Sequence, residues 1–291
     1  MIFFSIPGFY THYKLNKALL DLYIYKKPYV FKDNIKINSI YDCFPGTTWM
    51  GGRINPDPTI PIEDMKDIME EFTYKYRLEI RHVFTNNFIN DHLLYEPLGN
   101  LILQLSPNQT GININSEELK RYIEKTYPKK FLFNWSATKI LKDEQNINNY
   151  SKENTVIPSF LDVNNNFSLL SKLKHKNNIE LVVDDLCMNF CSNYYKHYIE
   201  FSKSNLYDTT ANIDICNCKQ NFNYYDRRVG KKHNISPESI EKDYLPLGFN
   251  HFKITGREDS EIQVIESYVR YLVKTEWKDY IRNELLGIVY T

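Results

Sequence analysis

Along the whole chain, short apolar runs alternate with stretches whose apolar residues recur every three to four positions. The runs predict buried strands and the recurring pattern predicts amphipathic helices. Strand-like runs fall at residues 2–6, 35–44, 78–85, 111–115, 130–136, 155–163, 180–185 and 249–255. Helical stretches separate them at 13–25, 62–76, 93–105, 116–127, 138–145, 168–175, 194–201 and 240–245. Two more, at 260–274 and 277–286, follow the last strand. In the second helix Met65, Ile68, Met69 and Phe72 share one face. Ser116 with Glu117 and Glu118 after it reads as a cap whose charge suits the helix dipole.

Eight strands alternating with helices predict a parallel sheet, and that count favours an α/β architecture closed as a single-domain (β/α)8 TIM-type barrel over residues 1–291. The alternative is an open doubly wound sheet. Residues 202–233 read as a long irregular excursion between strands seven and eight, beyond an ordinary connection. Residues 275–291 hold a C-terminal helix.

Composition narrows the partners. The 291 residues are 42% apolar, enough for a large core, and 36 basic residues balance 36 acidic ones. No global field draws in nucleic acid or an anionic membrane. No run reaches the roughly 18 apolar residues of a membrane span. The opening apolar run is too short for a secretory signal. These points give the expectation of a cytoplasmic protein acting on a small or macromolecular substrate, with a protein partner left open. Thiols stay reduced in that compartment, so five cysteines point to metal or catalysis more than to disulfides.

Barrel chemistry collects at the C-terminal strand ends. Cys43 follows the second strand there, Cys187 and Cys191 follow the seventh, and Cys216 and Cys218 lie in the excursion. Converging thiolates would hold zinc or an iron–sulfur cluster. His197, Asp185 and Glu258 are the candidate acid–base residues, with Asp184 and Asp259 beside them. Arg257, Arg53 after Gly51-Gly52, and Asn86 are candidates for holding an anionic substrate group. No P-loop, G-x-S-x-G, H-E-x-x-H or G-x-G-x-x-G motif occurs.

The segment Phe252-Lys-Ile-Thr-Gly-Arg257, with the following helix ending Tyr268-Val-Arg-Tyr271, resembles the closing Lys-Ile-Glu-Gly-Arg … Tyr-Arg unit of the collagenase-like peptidase family. That family includes RNA- and ubiquinone-hydroxylation accessory proteins. Leu186-Cys-Met-Asn-Phe-Cys191 and Cys43 stand where members carry cysteines, and Pro7-Gly8 matches the family's opening turn. The resemblance implies a TIM-type barrel and a [4Fe–4S] cluster on Cys43, Cys187, Cys191 and either Cys216 or Cys218. It implies a protein that performs or assists modification of a substrate at the strand ends. Thr255 replaces the family's Glu, and Asp184-Asp185 replaces its His-Gly. A peptidase-like hydrolase and a non-catalytic binding barrel therefore stay open as alternatives.

Overall fold

Eight strands form in the predicted order: β1 Ile2–Pro7, β2 Ile35–Asp42, β3 Glu79–Phe84, β4 Thr110–Ile114, β5 Phe131–Trp135, β6 Thr155–Val156, β7 Glu180–Val182 and β8 His251–Lys253. The computed structural model describes residues 1–53, 60–187, 189, 191–207 and 229–289. Every strand pairing is parallel, and the sheet order is β6-β5-β4-β3-β2-β1-β8-β7. A parallel bridge between Val156 and Ile179 joins the two ends, giving a nearly closed (β/α)8 barrel.

Strand parity fixes what faces inward. Phe4 packs on Tyr271 and Phe252 on Tyr244, both from segments wrapped around the outside. Their neighbours Ser5 and Lys253, paired in register, therefore point into the barrel. The interior is unusually polar. Ser5 Oγ lies 2.5 Å from Ser39 Oγ and also donates to Glu180. Glu180 accepts from Arg81 Nη1 at 2.7 Å, and Arg81 donates twice to Glu79 at 3.0 Å. A Cβ at Gly111 would collide with Glu79 Oε1 and Arg81 Cγ, so β4 needs glycine beside this pair. Branched apolar layers usually fill such barrels; here Arg81, Glu79 and Glu180 satisfy one another, as burial of charge requires.

Three predicted elements are corrected. The strand at 155–163 is only Thr155–Val156, and Phe160–Val163 is helical. Pro158 has no N–H to continue the ladder. The helix at 138–145 becomes a short 3-10 turn, Ala137–Lys139, and a separate helix, Glu144–Tyr150. Ile140 in the left-handed region (φ 56°) breaks the first, and Asp143 caps the second. The helix at 194–201 continues to Tyr207, so residues 202–207 are not irregular. Most of the expected excursion, 208–228, lies outside the described residues.

Candidate functional site

The C-terminal strand ends enclose a cavity of about 70 Å³, room for roughly five to seven water-sized groups. Tyr41, Val83, Asn113, Val182 and Lys253 form its floor from five strands, and Arg53, Asp185, Tyr198 and Arg257 its rim. Three basic side chains line it, Arg53, Lys253 and Arg257, against one carboxylate, Asp185. Arg53 Nε lies 3.5 Å from Glu258, and Arg257 Nη1 lies 4.0 Å from Asp42. Asp42 is itself pinned, accepting from the amides of Thr11 and Cys43 at 2.9 and 2.8 Å.

The loop carrying Arg53 lies directly on the end of β3. Gly51 accepts from the Thr85 hydroxyl at 2.8 Å, and a Cβ there would strike the Thr85 carbonyl. The helix Tyr194–Tyr207 crosses from the other side. Its Asn205 donates to the Met50 and Arg53 carbonyls at 3.0 and 2.8 Å, and its Tyr198 lines the cavity. Asn86 sits at the same crossing and is fully buried. Its amide donates to the carbonyls of Thr48 and Ser202 at 2.9 and 3.0 Å. Asn86 thus pins the loop to the helix and is not part of the cavity lining, contrary to its predicted place in substrate binding.

The predicted acid–base residues separate. Asp185 reaches the cavity and accepts from the Cys187 amide at 2.9 Å. Its neighbour Asp184 turns away and ties Thr255 N and Ser267 Oγ at 2.7 and 2.6 Å. Adjacent residues of an extended segment face opposite ways, so they form no carboxylate pair. Glu258 is exposed and bound to Arg53 behind the cavity. His197 packs its ring 5.4 Å from Phe201 and is not part of the lining.

The cysteines also divide. Cys43 belongs to the main barrel core, where burial pushes its thiol well above the usual range. Cys187 and Cys191 belong to a second apolar cluster around Phe160, Tyr194 and Tyr198. Among the described residues no group of three or more His, Cys, Asp or Glu side chains is placed to hold a metal. The cysteine loop after β7 therefore supplies two thiols, short of the three or four that zinc or a cluster needs. Cys216 and Cys218 lie outside the described residues.

Lys253 was missed. It is 8% exposed, and its Nζ sits 3.0 Å over the centroid of the Tyr41 ring with no hydrogen-bond partner among the described residues. Burial pushes the amine well below the usual lysine range; Glu180 opposes this, and Arg81 and Arg257 add to it. The signal was available: a lysine between Phe252 and Ile254 on a strand with a buried outer face must point into the barrel.

No family model matches the chain, and no curated protein matches it. Among solved structures, the chain is similar to one described as the U32 peptidase Mk0906. The TM-score is 0.51 at 13% identity, over 89% of this chain and 95% of that one. The U32 peptidases are the collagenase-like family that the closing strand resembles. Sequence resemblance and structural likeness agree on one point: this chain has the barrel fold of a U32 peptidase, at an identity that speaks for the fold alone.

Proposed function

We propose that the barrel binds a small anionic substrate at its C-terminal mouth and performs or assists its modification. The carrying observation is the pair of guanidiniums, Arg53 and Arg257, at the rim of a cavity lined by one carboxylate. Guanidinium groups suit carboxylate and phosphate oxygens by geometry as well as charge. A peptidase-like hydrolase is less well supported. The hydroxyls of Thr85 and Thr255 donate to backbone carbonyls, and neither His197 nor Glu258 lines the cavity. In titration calorimetry with phosphate and lactate as probes, both should bind the wild type. Each of Arg53→Gln and Arg257→Gln should weaken binding roughly tenfold or more, the worth of a charged hydrogen bond. Equal affinity in all three proteins would remove the mouth as the anion site.

The family resemblance further assigns a [4Fe–4S] cluster, with zinc as the alternative, to the pair Cys187 and Cys191 with either Cys216 or Cys218, while Cys43 lies apart in the barrel core. The pair fits in donor chemistry and in sharing one apolar cluster. Such a centre would supply electron transfer as a cluster, or Lewis acidity as zinc. Iron, sulfide and zinc should be measured per chain after anaerobic purification. Metal present in the wild type and in Cys43→Ser, but lost in Cys187→Ser and Cys191→Ser, is the expected pattern. Metal-free wild type would end this assignment and leave the anion pocket standing.

A further inference from the structure

Lys253 stands apart from the other buried charges of the barrel. Arg81 has Glu79 and Glu180 as partners, and Glu180 is already occupied by Arg81 and Ser5. Among the described residues, the Lys253 amine has only the face of Tyr41 beneath it. The Tyr41 hydroxyl donates to the Ile254 carbonyl at 2.7 Å, and the amine sits over the ring centroid with no hydrogen bond to that oxygen. Around it stand Glu180 of β7, Arg81 and Glu79 of β3, and Arg257 beyond β8. A buried ammonium without an acceptor is costly, so this environment favours the uncharged amine, the nucleophilic form. The amine also lines the cavity that holds Arg53 and Arg257.

We propose that Lys253 Nζ is a covalent site for a small 2-oxo acid, whose carboxylate rests on Arg53 and Arg257. This deepens the anion-binding reading and rests on it. A 2-oxo acid has a carbonyl carbon one bond from its carboxylate, so holding the anion at the rim lowers the carbonyl toward the floor. The nitrogen lone pair attacks that carbon, a C–N bond forms, and the carbonyl π pair moves to oxygen. The two protons leaving nitrogen end on that oxygen, which departs as water. The net change is amine plus carbonyl to imine plus water, with no oxidation or reduction. The ligand class is restricted by the cavity, which has room for roughly five to seven water-sized groups.

The full chain is incubated with pyruvate or glyoxylate and sodium cyanoborohydride, which supplies the hydride that fixes an imine as a secondary amine. Intact and peptide mass spectrometry then locates the adduct. The expected result is one adduct at Lys253, absent from Lys253→Met and Lys253→Arg. Arg257→Gln should need at least tenfold more 2-oxo acid for the same yield. Lys253→Met should stay folded, with an unchanged or higher melting temperature, because it replaces an unpartnered amine with an apolar chain of similar length. Adduct on surface lysines alone, or the same yield in folded Lys253→Met, overturns the proposal. Binding of lactate and phosphate without any adduct overturns the covalent site but keeps the anion pocket. Failure of those probes as well overturns both.

Discussion

His82 shows how one side chain records its surroundings. It lies on β3 between the rings of Phe9, Phe44 and Phe84. The Ser106 hydroxyl donates to the Ile102 carbonyl at 2.6 Å, so the 2.9 Å contact is a bond from His82 Nε2–H to Ser106 Oγ. Burial, aided by Lys130, lowers its pKa to about 3 from 6.5, so the folded ring is neutral near pH 7. The unfolded chain binds the extra proton below 6.5, so this contribution to stability is full above that pH. It is lost as pH falls from 6.5 through about 3, by roughly 5 kcal/mol in all. Denaturant melts of His82→Leu should show a flatter fall in stability over that window. An unchanged slope would mean that other groups carry the acid sensitivity. At this scale the sequence was a partial guide. Strand-end position drew attention to Arg53, Asp185 and Arg257, which line the cavity. It could not separate Asp184 from Asp185, or Asn86 from the cavity, because hydrogen-bond direction depends on contacts from distant segments.

Elements were most legible where local chemistry and tertiary packing agree. Ser116 caps the helix Glu117–Thr126 as expected, its hydroxyl accepting from Leu119 N at 3.1 Å. Ser116→Ala should lower stability by about 1 kcal/mol, measurable by urea unfolding. No change would mean that another acceptor takes over the amide. Legibility failed where punctuation was subtle. The apolar residues from 155 to 163 gave a continuous strand signal, yet Pro158 ends the ladder and Ser159 begins a helix. An apolar run buried on both sides looks alike as strand or helix. Ile140 in a left-handed conformation was invisible as well, since a β-branched residue gives no warning of positive φ.

At the scale of the molecule, alternation favoured the barrel over an open doubly wound sheet and the family resemblance supported it, because eight parallel strands with helices outside have few ways to bury both faces. What it did not give is how unevenly the barrel closes. β1 and β2 pair over six residues, whereas β6 meets the β7 side through the single Val156–Ile179 bridge. Hydrogen exchange should therefore be faster at Val156 and Ile179–Val182 than at Phe4–Ile6 and Ile37–Tyr41. Equal protection on the two sides would show a closure stronger than its hydrogen bonds. The polar interior was equally hidden, since Ser5, Glu79, Arg81 and Glu180 become neighbours only when the barrel closes.

The helix Tyr194–Tyr207 works as a strap. It leaves the cysteine loop, presents Tyr198 to the cavity and ends by gripping the backbone of Met50 and Arg53. The segment just after the cysteine loop and the backbone that carries Arg53 are thus joined by one helix.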